Sequence, residues 1–384
     1  MPGSKRQEGE VSPAGPLMEA ERTLAATQDM ETPLAVVDLA TMERNLARMA
    51  AIAGDAGLRL RPHAKTHKSP YVARRQLDHG AAGLTVATLR EAEVFADAGV
   101  VDLLLAHPPA GGPKLKRLER LQARVGRVAV SLDDLGLALS LPDEVEIMWE
   151  VDTGLHRVGT QPGEETVAAV RALVAQLRDS RRFRGLITHA GHAYRSRDQE
   201  QRRRAAEEEA TGLLETARLL REHGIEVREL SVGSTPTAEH TPAYSGITEM
   251  RPGTYVYGDA NQVALGSHRL DECALGVLAT IVSTPDRERA VADAGSKSLS
   301  ADLLVPGLRG YGIVLGRPEL SVERLSEEHA VLTASGSGTG LRVGDRVVIV
   351  PAHVCTTVNL HPALLFLGQD GGSRLEPVAA RGWG

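Results

Sequence analysis

The sequence predicts an α/β fold, a (β/α)8 TIM-type barrel followed by a C-terminal β-domain, on three observations. Short apolar runs alternate with amphipathic stretches eight times between residues 34 and 232. After Tyr257 the helical stretches nearly vanish, and apolar runs continue between Gly- and Pro-rich turns such as Ser335-Gly-Ser-Gly-Thr-Gly340. Polar and glycine-rich residues gather where the apolar runs end, which is where a parallel barrel carries its chemistry. An open doubly wound sheet gives a similar string of elements and is the alternative. A chain of 384 residues has room for about two domains. The expected division is a disordered or β-domain-associated tail over 1–30, the barrel over 31–262 and the β-domain over 263–384.

In chain order, residues up to about Thr27 are rich in Gly, Pro, Glu and Ser without a sustained period and read as a tail. Leu34-Ala-Val-Val-Asp-Leu39 reads as the first strand. Met42, Leu46 and Met49 then recur on one face of the helix that follows. The second strand is the run 58–60. Residues 83–88, 102–107, 128–132, 145–151, 183–189 and 227–232 continue the series, with helical segments such as 91–98 and the charged 198–223 between them. The β-domain is read from strands at 273–283, 289–293, 330–334, 346–351 and 364–367.

Hydrophobic residues at 42% and charged residues at 24% describe an ordinary soluble protein. A formal net charge of −6 argues against nucleic acid or an anionic membrane as a partner. No apolar run approaches the ~20 residues that span a bilayer, and no signal-peptide core opens the chain, so a cytoplasmic location is expected. Cys273 and Cys355 are too few for a disulfide framework.

The densest candidate site is Arg61-Pro62-His63-Ala64-Lys65-Thr66-His67-Lys68, two lysines and two histidines where a buried strand should end. A lysine at a barrel mouth, flanked by cations and partly withdrawn from water, is held toward the free amine that a Schiff base needs. Lys65 is the candidate, against an exposed, solvated basic turn. Asp152, His156 and Arg157 share a tight turn after the sixth strand, and His189-Ala-Gly-His-Ala-Tyr194 ends the seventh. The eighth runs into Val232-Gly-Ser-Thr-Pro-Thr237, whose Gly233, Ser234 and Thr235 can aim amides and hydroxyls at a phosphate, with a short helix expected from Pro236. Glu249-Met-Arg-Pro-Gly-Thr-Tyr255 offers Gly253 for close approach and Arg251 as a fixed cation. In Pro351-Ala-His353-Val-Cys355, strand alternation would put an imidazole and a thiolate on one side, two good zinc donors with open positions for water or substrate.

Taken together, Arg-Pro-His-x-Lys-Thr-His-Lys, Gly-Leu-His-Arg, His-Ala-Gly-His-Ala-Tyr, Gly-Ser-Thr-Pro-Thr, Arg-Pro-Gly-Thr-Tyr and His-x-Cys, in this order over about residues 32 to 367, resemble the metal-activated pyridoxal phosphate enzymes. That family includes D-threonine aldolases and eukaryotic-type D-serine dehydratases and has the alanine racemase-like fold, pyridoxal phosphate fold type III. The resemblance implies that Lys65 carries pyridoxal 5'-phosphate, with Lys68 a structural neighbour. It implies that Gly233, Ser234, Thr235, Gly253 and Thr254 or Tyr255 hold the phosphate and that Arg157 stands near the ring's phenolic oxygen. Arg251 matches the position that faces the pyridine nitrogen in the racemase. His192 and Tyr194 line the substrate side, and His353 and Cys355 hold a divalent metal, zinc in preference to manganese.

The implied activity is that of a lyase on 3-hydroxy-D-amino acids, either water elimination to a 2-oxo acid and ammonia or retro-aldol cleavage to glycine and an aldehyde. Cys355 fits the dehydratase-type pattern, whereas an acid at that position marks the aldolases. A homodimer is expected by analogy, with the metal pair serving either its own barrel or its neighbour's. Two other readings stand beside this one. An amino-acid racemase needs a tyrosine base from the β-domain, where Tyr311 is the only tyrosine after Tyr257. A non-catalytic pyridoxal phosphate carrier lacks the second domain that residues 263–384 supply.

Overall fold

The computed structural model describes residues 16–302, 305–336 and 338–382. The tail over 1–15 lies outside the described residues. Residues 16–26 form a helix, where the sequence suggested an irregular tail. Arg22 at its centre bonds the Gly368 carbonyl and pairs with Asp38. No helix among the described residues is long and apolar enough to cross a membrane.

Strand β1 (Leu34–Asp38) precedes the barrel strands β2 (Arg59–Leu60), β3 (Leu84–Val86), β4 (Asp102–Leu105), β5 (Arg127–Leu132), β6 (Glu146–Glu150), β7 (Phe183–Ile187), β8 (Glu229–Val232) and β9 (Glu249–Met250). The strands β2 to β9 are parallel, in the order β2-β9-β8-β7-β6-β5-β4-β3. A bridge between His63 and Thr85 closes the ring between β2 and β3. The second sheet contains β10 (Leu275–Asp286), β11 (Arg289–Ala292), β12 (Gly312–Val314), β13 (Leu320–Leu325), β14 (Ala330–Ala334), β15 (Arg346–Pro351), β16 (Ala363–Leu367) and β17 (Ser373–Pro377).

The eight-strand count is right, but its membership is not what the alternation suggested. β1 pairs with β10 antiparallel and with β16 parallel, so it belongs to the second sheet. Its place in the ring is taken by β9, within a stretch that reads as a glycine turn. Two residues give no period to detect, and β1, buried at Ala35, Val36 and Val37, looks the same in either sheet. The short strands β12, β13 and β17 were likewise invisible in the pattern.

Excursion of β1 into the second sheet ties the two units together. Ala35 and Val37 pack in one apolar cluster with Met42, Leu46, Tyr257, Val354 and Phe366, drawn from both. The helix over 39–55 starts where the Asp38 carboxylate accepts the Thr41 amide at 2.7 Å, an ordinary N-cap. This shared core sets the second sheet's loop over the barrel mouth.

Candidate active site

Lys65 sits half-buried in a single 3₁₀ turn, Ala64–Thr66, directly beyond β2. The His63 amide donates to the Pro252 carbonyl at 3.0 Å, and Ser69-Pro70 starts the next helix with proline in its first turn. Between those fixed points the chain has one turn to spend, and Lys65 is on it. Its amine has no partner among the described residues. Lys68 is buried and committed: its Nζ donates to Asn359 Oδ1 at 2.8 Å and the Gly382 carbonyl at 3.2 Å and lies 3.4 Å from Glu91.

A cavity of about 420 Å³ opens beside Lys65, lined among others by His63, Glu150, Arg157, His189, Gly233 and Arg251. Burial, reinforced by the Lys65 charge, holds His63 well below the usual imidazole value and brings His189 down to about 3. Both rings are therefore neutral at neutral pH, and the Arg157 and Arg251 guanidinium groups bring fixed positive charge to the cavity. His189 Nδ1 donates to the Gly233 carbonyl at 2.6 Å. Arg251 donates to Ser231 Oγ at 2.6 Å and to the Thr188 carbonyl. Ser231 in turn donates to Glu249 at 2.6 Å, and Glu249 accepts from Arg61 Nε at 2.8 Å.

Beyond β8 and β9 two turns face each other. Gly233 has φ 145°, and a Cβ there would lie 2.5 Å from the Arg251 amide nitrogen. At Gly253 a Cβ would meet Thr66 Oγ1 at 2.9 Å and the His63 carbonyl at 3.1 Å. The amides of Ser234, Thr235 and Gly253 have no partner among the described residues, a cradle of the kind that receives a phosphate. The Gly233 amide is not part of it: it donates to Glu209 Oε1 at 2.8 Å. Glu209, buried on the helix 199–222, also accepts the Ala190 amide at 3.1 Å and the Thr237 hydroxyl at 3.3 Å. The expected helix at Pro236 is instead a series of turns ending in a 3₁₀ segment, Thr241–Ala243. The Thr254 turn follows Gly253, and the Tyr255 amide donates to Thr235 Oγ1 at 3.2 Å. The Tyr255 ring is buried behind the turn, its hydroxyl accepting from Gln76 at 3.2 Å.

His353 and Cys355 reach the same place by a route the strand reading missed. His353 is extended and Val354–Leu360 is a helix, so the pair straddles a strand-to-helix turn and does not lie on one strand face. Cys355 Sγ is 3.2 Å from Thr66 Oγ1 and 3.8 Å from Thr254 Oγ1, against the Lys65 turn of its own chain. Burial opposes a charge on His353, but the Cys355 sulfur and the Asp302 carboxylate, bonded to Nδ1, outweigh it and lift the pKa to about 11. Burial alone would raise the Cys355 thiol; His353, Lys65 and Thr66 bring it below its usual value. A carboxylate on Nδ1 leaves the other ring nitrogen for a metal and fixes the ring's orientation. No group of three or more His, Cys, Asp and Glu side chains poised for a metal occurs among the described residues, so the pair fits an ion completed by water or substrate.

Tyr194 lies at this end. Burial raises its pKa, helped by the nearby Cys355 sulfur, with hydrogen bonds to Thr254 and Gln262 opposing. His192 lies elsewhere, its ring against Gly154 and its Nε2 3.3 Å from Glu208. Tyr311 packs on the core of the second sheet and does not line the cavity. Sequence reasoning assigned no role to Asp259, Asp302 or Glu209. Glu209 did carry a signal, since Ala205, Glu209, Leu213 and Thr216 fall on one buried helical stripe where a carboxylate is out of place.

The alanine racemase N-terminal domain family matches residues 37–261, and the serine dehydratase domain family matches residues 274–367. The chain is 36% identical over 364 residues to the D-threo-3-hydroxyaspartate dehydratase of Delftia sp. (strain HT23), spanning 89% of this chain and 95% of that protein. It is 32% identical over 368 residues to the D-threonine aldolase of Arthrobacter sp, spanning 92% and 93%. A solved cysteine-to-alanine variant of a D-threo-3-hydroxyaspartate dehydratase, in a metal-free form, superposes with a TM-score of 0.85 at 32% identity, covering 92% of this chain and 99% of that one.

Proposed function

The chain belongs to the D-amino-acid lyases of alanine racemase-like fold that join an alanine racemase N-terminal domain to a serine dehydratase domain, and on that premise we propose that it eliminates water from a 3-hydroxy-D-amino acid to give a 2-oxo acid and ammonia. The reading includes pyridoxal 5'-phosphate and a divalent metal as cofactors. One observation carries it: the Lys65 turn and the His353–Cys355 pair meet within one chain, with Thr66 Oγ1 and Cys355 Sγ 3.2 Å apart.

Pyridoxal 5'-phosphate, when bound, supplies an electron sink for bond breaking at the substrate Cα. Lys65 would be the lysine that holds it, the free amides of Ser234, Thr235 and Gly253 would receive its phosphate, and Arg157 and Arg251, which line the same cavity, would supply the cations beside it. Thr254 and Tyr255 brace that cradle, and Gly233 keeps the turn open. A divalent metal, when bound, supplies a Lewis acid to the substrate's 3-hydroxyl. His353 and Cys355 hold it, and the thiolate favours zinc over manganese.

Lys65 Nζ, which would hold the cofactor at rest, would be the group placed to take the substrate's Cα proton. Neutral His63 and His189 add no charge to the cavity, so Arg157 and Arg251 would be the cations that meet the ligand's anionic groups. Tyr194 walls the metal end and keeps bulk water from it. His192, held against Gly154, acts on the substrate side only through that loop. Elimination is preferred over aldol cleavage on the ground of Cys355, a sulfur donor in place of a carboxylate. A homodimer fits the proposal, with each metal pair serving its own barrel.

The test is product analysis with D-serine, D-threonine and D-threo-3-hydroxyaspartate, using the purified holoenzyme with zinc and a chelated control. A 2-oxo acid and ammonia, lost on chelation and restored by zinc, is the expected result. Glycine and an aldehyde would move the enzyme to the aldol branch, and turnover indifferent to chelation would remove the metal from the reaction.

A further inference from the structure

We propose that Asp259 is a positioning residue for the metal pair: its carboxylate fixes the backbone amide of Val354, the residue between His353 and Cys355. The inference rests on the metal reading above. Asp259 is fully buried just beyond the barrel's closing 3₁₀ turn. One oxygen accepts the Gln262 amide at 2.8 Å and caps the helix Ala260–Leu265. The other accepts the Val354 amide at 3.0 Å.

That second bond answers a need of the metal helix. The first amides of Val354–Leu360 have no partner inside the helix. His353 occupies the N-cap position but makes no side-chain cap bond, its ring being turned to Asp302. The cap has to come from another part of the chain, and Asp259 provides it. The neighbouring Asn261 amide donates to the Ala352 carbonyl at 3.1 Å. His353 is therefore bracketed, with residue 352 held through its carbonyl and residue 354 through its amide, both by the segment 259–261. Cys355 follows in the first turn of the helix so held. A two-donor site has little redundancy, and its ligands must be placed within about half an ångström to bind well.

Asp259→Asn keeps one accepting oxygen. That oxygen stays on the local Gln262 amide, because asparagine is a good N-cap for its own helix. The amide NH2 then faces the Val354 N–H, so the bond to the metal helix is lost. The experiment measures zinc affinity of the holoenzyme by competition with a chromophoric chelator, for the wild type, Asp259→Asn and His353→Ala. Cofactor absorbance and thermal melting are recorded on each.

The expected result is zinc binding about ten- to a hundredfold weaker in Asp259→Asn, with cofactor absorbance kept, melting still cooperative but lowered by the unpaired Val354 amide, and turnover recovered at high zinc. Wild-type zinc affinity in Asp259→Asn, while His353→Ala loses the metal, overturns the positioning role and leaves the metal site standing. Undiminished zinc binding by His353→Ala sinks the metal reading, and this inference with it. Should Asp259→Asn not fold, Asp259→Ser keeps the local cap but is too short to reach Val354, and the same two outcomes decide.

Discussion

Two lysines three residues apart on one turn have opposite circumstances. Lys65 has no partner among the described residues and faces the cavity, whereas Lys68 is buried with φ 49° and binds Asn359, Gly382 and Glu91. Burial already raises the Glu91 carboxyl above its usual pKa, with the Lys68 charge opposing. Lys65→Ala should therefore abolish the cofactor's absorbance band and leave the melting of the protein without cofactor unchanged. Lys68→Ala should keep the band but cost about 3 kcal/mol of stability, because it strands a buried carboxylate. Absorbance titration and denaturant unfolding read the two effects separately, and a band lost only in Lys68→Ala would reverse the assignment.

At the scale of the element, the strand-end turns do the work because glycine lets them approach one another. Gly233 pairs a left-handed φ with a Cβ position already filled by the Arg251 backbone. Alanine would meet both costs, of order 1–3 kcal/mol for the strain alone. Gly233→Ala should push the turn off Arg251 and weaken pyridoxal 5'-phosphate binding by about tenfold or more. Titrating the cofactor into the stripped protein measures this, and unchanged affinity would dissociate the turn from the phosphate. The helix Val354–Leu360 makes the related point that a turn and a borrowed cap can bring an i, i+2 pair, His353 and Cys355, together without a strand.

Across the whole molecule, a network of charges lies beneath the site. Arg61 and Glu249 are buried inside the ring, and Asp102, Arg127, Glu146, Arg184, Glu229 and Arg59 continue the pairing. Above them Leu104, Ala129, Met148 and Ile187 form a small apolar layer. The network reaches the site through Glu249, Ser231 and Arg251. Burial would raise Glu229, but Arg127, Arg184 and Arg59 hold it at about 2, below its usual 4.5. A folded-state pKa so depressed gives stability that is complete above the unfolded value and fades as pH falls toward 2. Glu229→Gln should cost about 3 kcal/mol near neutrality, and its gap from the wild type should close between about pH 5 and pH 2. Urea unfolding at pH 7 and pH 3 tests this; an equal gap at both would place the loss in packing.

What the sequence determined by itself was the order of the functional segments and the two-part fold. Alternating apolar runs, glycine-rich exits and the motifs around Lys65 and Cys355 are local features that survive without coordinates. Only the tertiary structure decided that β1 belongs to the second sheet and β9 to the barrel, because strand pairing is a long-range choice and the local pattern is the same either way. It decided that His353 and Cys355 face the Lys65 turn of their own chain, which depends on how the shared core seats one sheet over the other. It also drew in Asp259, Asp302 and Glu209, whose carboxylates reach Val354, His353 and Gly233 across 95, 51 and 24 residues of chain. A buried carboxylate finds its role through the amides and rings that folding brings to it, and no spacing along the chain records them.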